Sequence, residues 1–136
     1  MGELPDPQPV APLAAPPSGV VVQVPGGRSI TNRALVAAAL ASGRSVLRGA
    51  GLSDDSEAMI DCLRTLGASI TVDGTTVTVD GVAGRPRCYV DVFTRLSGTT
   101  SRFITAIAAL ADGPVRVDAL PPMRARPMGD LIVALR

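Results

Sequence analysis

The stretch SITNRALVAAALASGRSVLRGAGLSDDSEAMIDCLRTLG, Ser29 to Gly67, is echoed later by GTTSRFITAIAALADGPVRVDALPPMRARPMGDLIVALR, Gly98 to Arg136. Laid on one another, Arg102 falls on Arg33 at an offset of 69, Gly113 on Gly43 at 70, and Arg136 on Arg64 at 72. Each copy reads helix, glycine, strand, loop, helix, and the drift of three residues sits in the loops, where insertions are tolerated. The pattern predicts an α/β fold built from a repeated unit.

Local signals fill in the first copy. Val20 to Val24 (VVVQV) reads as a short strand, and Ser29 as the N-cap of a helix that Gly43 ends. SVLRGAGL is a strand entering a turn. Ser53 caps the next helix, with Asp54, Asp55 and Glu57 in its first turn, where negative charge suits the helix dipole. Met59, Ile60, Leu63 and Leu66 form its apolar face and Gly67 ends it. ASITVDGTTVTVDGV holds two β-branched runs around Asp73-Gly74, a hairpin signal. The second copy stops before its own hairpin, so the chain reads as the opening portion of a longer protein. Residues 1–18 carry six of the 12 prolines and read as a flexible leader. Residues 19–136 read as a partial domain, with repeat one at about 25–84 and an incomplete repeat two at about 88–136.

Composition narrows the function. The formal charge is +1, all 13 basic residues are arginine, and aromatics are 2% of the chain, so nothing marks a nucleic-acid partner. Histidine is absent, which removes the commonest general base and the commonest metal ligand. Cys62 and Cys88 fit neither a metal motif nor a disulfide framework and read as small apolar residues in a reducing compartment. The start lacks a basic and apolar signal, and no run approaches the ~18 apolar residues of a membrane span, so a cytoplasmic location is expected.

Three groups could carry chemistry. In VPGGRSITNR, Gly26 and Gly27 let the backbone pass close to a ligand, Ser29 opens a helix with free N–H groups, and Arg28 and Arg33 approach that point from the loop and the first turn. LSGTTSR repeats the design with Gly98, Thr99, Ser101 and Arg102. PPMRARPMGD holds Arg124 and Arg126 in a loop before a helix opened by Pro127, suited to bidentate carboxylate or phosphate recognition. Plain turn chemistry is the better account of the first group alone, helix capping and a solvated arginine account at least as well for the second, and a surface turn with two solvated arginines equally well for the third. Asp54 and Asp55 are better explained as dipole partners than as an acid–base pair, and Gly49-Ala50-Gly51 lacks the rest of a dinucleotide fingerprint.

Together, PGGRSITNRALVAAALASG, LSDDSEAMIDCLRTLG, LSGTTSRF and MRARPMGDLIVALR resemble, in order and spacing, the N-terminal part of the EPSP synthases (3-phosphoshikimate 1-carboxyvinyltransferases). The resemblance covers about residues 20 to 136. It implies the enolpyruvyl transferase fold, two domains each of three βαβαββ units, with this chain supplying the first unit and most of the second. It implies that Val20 to Val24 belongs with the other domain. The implied reaction transfers the enolpyruvyl group of phosphoenolpyruvate to the 5-hydroxyl of shikimate 3-phosphate, through a tetrahedral intermediate and with no metal or organic cofactor. Carried over by position, Arg28, Ser29 and Arg33 would bind shikimate 3-phosphate, and Arg28, Gly98, Thr99 and Arg126 would bind phosphoenolpyruvate. The family pattern PGSKS is PGGRS here, with Gly27 for serine and Arg28 for lysine. The family's main acid–base residues lie outside this chain, so its missing C-terminal part or a complementing chain is expected as partner, and no transferase activity is expected of these residues alone. Two alternatives stand beside this. One is a non-catalytic anion-binding or partner-dependent module. The other is the sister enzyme acting on UDP-N-acetylglucosamine, which carries a lysine-asparagine pair in place of Ser29 to Arg33 and a cysteine in the loop that here reads PPMRARP.

Overall fold

Thr31, Asn32, Leu35, Ala38 and Ala39 recur at helical spacing, and burial of this stripe folds Arg28–Leu40 into helix α1. The protein is described here by a computed structural model over residues 11–136. After α1 come β1 (Arg44–Leu47), α2 (Asp54–Thr65), β2 (Ser69–Asp73), β3 (Thr76–Asp80), β4 (Val90–Phe93), α3 (Gly98–Ala108), β5 (Val115–Asp118), and two short helices, α4 (Pro121–Arg124) and α5 (Gly129–Ala134). The order helix, strand, helix therefore occurs twice. The first occurrence carries the antiparallel sheet β1-β3-β2, and the second the parallel pair β4-β5.

The β2–β3 hairpin turns at Gly74-Thr75, with Gly74 at φ +54 and Asp73 paired to Thr76. Its alternation puts Ile70, Val77 and Val79 inward against Leu35, Met59, Leu63 and Leu66, while Val92 and Ile104 extend the same core toward β4 and α3. Helix α2 begins as its sequence dictates, on Ser53. Its capping box closes with Ser56, whose hydroxyl accepts from the Ser53 N–H at 2.7 Å. The last carbonyls of α1 are satisfied by the chain leaving the hairpin: Val82 N–H donates to Ala39 O and Gly84 N–H to Leu40 O, both at 2.8 Å.

Several local expectations are corrected. Val20 to Val24 forms no strand and lies exposed, because β-structure needs a paired neighbour and none of the described residues pairs with it. Helix α1 starts at Arg28 on Gly27, so Ser29 is its second residue and not its cap; it ends at Leu40, three residues before Gly43, which takes φ +86. Pro127 does not open a helix. The helical turn α4 precedes it and α5 begins at Gly129, so Arg124 closes a helix and does not lie in a loop. Of the leader expected over 1–18, residues 1–10 lie outside the described residues, and residues 11–18 are exposed without helix or strand.

Cys62 sits in the core, 1% exposed, and its Sγ lies 3.4 Å from the Phe93 carbonyl. Burial, helped by the adjacent Asp61 carboxylate, pushes its thiol up to about 11 from an ordinary 9.0. Two units mean a thiolate fraction about a hundredfold lower at pH 8. In a disulfide-exchange titration of the native chain, half-buried Cys88 is expected to react first, and Cys62 only with denaturant.

Candidate anion-binding site

Three threonine and serine hydroxyls gather the first turns of the long helices at one end of the molecule. Thr31 Oγ1 of α1 accepts from the Gly51 N–H at 2.9 Å, and Ser56 Oγ of α2 donates to the Gly51 carbonyl at 3.2 Å. Thr100 Oγ1 of α3 donates to the Asp55 carbonyl at 3.0 Å. The start of α2 thereby stands between the starts of α1 and α3. The three are not alike in charge: α2 carries Asp54, Asp55 and Glu57 in its first turn, whereas α1 and α3 carry no acidic residue there. The positive ends of α1 and α3 thus carry no acidic residue of their own first turns.

At α3 the approach is close. Ser97 caps the helix by accepting from Thr100 N–H at 3.1 Å, leaving the first N–H groups free. A methyl group on Gly98 would lie 3.0 Å from Arg126 Nη1, 3.1 Å from Arg102 Nη1 and 3.8 Å from the Met123 sulfur. Two guanidinium groups thus meet over one helix start. Arg102 is held there by backbone carbonyls, donating to Gly98 O at 3.1 Å and Pro127 O at 3.5 Å. Thr99 is exposed at the second helical position.

Arg124 and Arg126, two residues apart, have different fates. Arg124 forks onto Asp118, Nε to Oδ1 at 2.7 Å and Nη2 to Oδ2 at 2.8 Å. Arg124, with the Ala119 N–H beside it, holds the Asp118 carboxyl below its ordinary range. Arg126 makes no ion pair among the described residues, nor do Arg28, Arg33 and Arg102.

At α1 the residues are present but less converged. Arg28 and Ser29 are exposed in the first turn, and Arg33 folds back, donating to Ser29 O at 3.0 Å. Gly26 packs directly on backbone. A side chain on it would strike the Gly49 carbonyl and lie 2.8 Å from Gly51 N, so Gly26 and Gly51 let two backbones touch, while Gly49 takes a positive φ of +70. Gly27 is less constrained, for an added methyl would meet only Ile30 Cδ1, at an ordinary 3.5 Å. Behind it Asn32, 2% exposed, keeps its Oδ1 unpartnered among the described residues.

Sequence reasoning overlooked Ser97 and gave Arg102 to solvent as readily as to a site. The register of Arg102 on Arg33 was the available signal for the latter. For Ser97 it was a serine directly before the Gly98 helix start, the residue type that favours an N-cap.

Fold and site together define an α/β protein with two cationic, carboxylate-free helix starts at one end. Residues 15–136 match the profile of EPSP synthase (3-phosphoshikimate 1-carboxyvinyltransferase), and the chain belongs to that family. It is similar to the 3-phosphoshikimate 1-carboxyvinyltransferase of Nostoc punctiforme, 46% identical over 123 residues, covering 88% of this chain and 29% of that protein. The protein of the same name from Rhizobium leguminosarum bv. trifolii is 46% identical over 128 residues, covering 93% and 30%. A solved EPSP synthase from Acinetobacter baumannii shares the fold, with a TM-score of 0.79 at 24% identity over 85% of this chain and 26% of that one. The chain therefore spans about a third or less of the length of the relatives it matches. Among the described residues, no helix is long and apolar enough to cross a membrane.

Proposed function

We propose that this chain is the substrate-gripping opening portion of a cytoplasmic 3-phosphoshikimate 1-carboxyvinyltransferase, which moves the enolpyruvyl group of phosphoenolpyruvate onto the 5-hydroxyl of shikimate 3-phosphate and releases phosphate. The observation that carries the reading is the placement of Gly98 beside Arg126 and Arg102, with no carboxylate among the described residues pairing with either. Both substrates bear a carboxylate and a phosphate, and guanidinium groups gathered at a helix start with its first N–H groups stabilise such charge. In this reading Gly98, Thr99 and Arg126 receive phosphoenolpyruvate, Ser29 and Arg33 receive shikimate 3-phosphate, and Arg28 reaches toward both. Arg28 stands where relatives of the PGSKS pattern have lysine; as a guanidinium it stays charged and acts by position, not by proton transfer.

Completion of the site falls to chain beyond these residues, a continuation of the same protein or a complementing polypeptide. The first helix-strand-helix set carries a hairpin whose β3 pairs with β1, while β5 is paired only with β4 among the described residues. Beside β5 runs a groove of about 660 Å³ lined by Val115, Val117, Ala108, Met128 and Ile132, an apolar surface that a hairpin of the missing part would cover.

The test is a titration of the ¹⁵N-labelled chain with phosphoenolpyruvate. Gly98 and Thr99 amides are expected to shift, with affinity about millimolar, and no phosphate should be released on adding shikimate 3-phosphate. Unmoved Gly98 and Thr99 resonances at saturating ligand overturn the assignment. Turnover by these residues alone overturns the division of labour.

A further inference from the structure

We propose that Arg95 is a positioning residue, clamped by the acidic face of α2 so that the loop it occupies sets Gly98 and Arg126 against one another. This rests on the assignment of Gly98 and Arg126 to the anion site. Asp54, Glu57 and Asp61 recur at i, i+3 and i+7, one face of α2, and all three turn toward Arg95. Arg95 Nη1 donates to Asp54 Oδ1 at 2.7 Å and more weakly to Glu57 Oε2 at 3.5 Å, and Nη2 donates to Asp61 Oδ2 at 2.7 Å. Exposed pairs of this kind add little to stability singly, so their significance lies in what they hold.

What they hold is a loop with consequences on both sides. Arg95 takes a left-handed backbone, φ +54, a conformation that favours glycine. An arginine is retained there where glycine would be at ease, and the clamp is the compensation. Two residues on, Ser97 caps α3 and places Gly98 at the helix start. In the other direction, the Arg95 carbonyl accepts from the Leu120 N–H at 3.0 Å. Leu120 is the N-cap of α4, whose Met123 carbonyl receives the Arg126 N–H at 3.0 Å and whose Met123 sulfur would lie 3.8 Å from a methyl group on Gly98. One residue therefore ties α2 to both walls of the seat, three positions before Gly98 and with its own side chain turned onto α2.

Two alterations separate clamp from backbone. Arg95→Gly keeps the left-handed preference and removes the tether; the pair Asp54→Asn with Asp61→Asn removes the clamp from the α2 side and leaves the loop sequence intact. Each is expected to speed exchange of the Leu120 amide about tenfold and to weaken phosphoenolpyruvate at the Gly98 amide about tenfold, the scale of a small misplacement. Exchange of the Val79 amide in the core strand should stay unchanged, and Arg95→Lys should recover most of the affinity. Unchanged Leu120 exchange in both alterations overturns the proposal, as does an equal rise at Val79, which would mean general loosening. If the unaltered chain does not respond to phosphoenolpyruvate, the site assignment has failed. Leu120 exchange then decides the role of Arg95 alone.

Discussion

Gly98→Ala is expected to weaken phosphoenolpyruvate binding by about a hundredfold while leaving the denaturation midpoint unchanged or slightly raised. Gly98 is the first residue of α3 and does not use a positive φ, so alanine suits the backbone and is the better helix former by up to about 1 kcal/mol. The added methyl would stand 3.0 and 3.1 Å from the Arg126 and Arg102 guanidinium nitrogens. Those nitrogens end flexible side chains and can withdraw, so the fold tolerates the change. Their withdrawal is the effect sought, because it takes two donors from the place the anion needs them and fills part of that place with carbon. Arg126→Ala should lose a comparable factor by removing a charged donor outright, again without loss of stability, since Arg126 makes no ion pair among the described residues that would be broken. Calorimetric titration beside a urea denaturation separates the two quantities. Wild-type affinity in Gly98→Ala would mean that the ligand does not approach this helix start.

Much of the fold could be read directly, and the exceptions share a physical cause. Helix α2 was legible because its signals are local: a cap at Ser53, acidic residues behind it, an apolar stripe, and Gly67 at φ +109 to stop it. The hairpin was legible because two β-branched runs flank Gly74, although the turn itself falls on Gly74-Thr75, with Asp73 paired to Thr76. By contrast β4, four residues between Tyr89 at φ +58 and a tight loop, exists through its register with β5, Val90 on Val115 and Phe93 on Asp118. No window along the chain contains that information. VVVQV is the mirror case, a segment with every local mark of a strand and no partner among the described residues.

The site divides in the same way. The repeat brought Gly98 and Arg102 into register with Ser29 and Arg33, and the family resemblance named Arg126. Composition alone could not separate Arg126 from Arg124, which differ only in that α4 turns one of them back onto Asp118. Nor could it show that the acidic face of α2 is spent on Arg95, leaving the arginines at the starts of α1 and α3 without an ion pair among the described residues.

Gly26→Ala is expected to cost about 3 kcal/mol or more of stability, whereas Gly27→Ala one residue away should cost no more than about 1. The difference follows from what each added methyl meets. At Gly26 it would overlap the Gly49 carbonyl and crowd Gly51 N at 2.8 Å, both backbone atoms that cannot rotate aside. At Gly27 it would touch only the end of the Ile30 side chain, itself 74% exposed and free to move. The 49–51 turn cannot simply retreat from residue 26. Its Gly51 N–H is held by Thr31 Oγ1 and its Gly51 carbonyl by Ser56 Oγ, so displacement loosens the first turns of α1 and α2 together. Leaving either buried partner unsatisfied adds to the steric cost. Gly51→Ala, whose methyl would strike the Gly26 carbonyl, should repeat the loss, and its combination with Gly26→Ala should cost less than the sum, because one separation relieves both collisions. Urea midpoints for the four chains measure this directly. Equal losses at Gly26 and Gly27 would mean that the two backbones do not meet there, and the seat at the start of α1 would then lack the support that fixes its position.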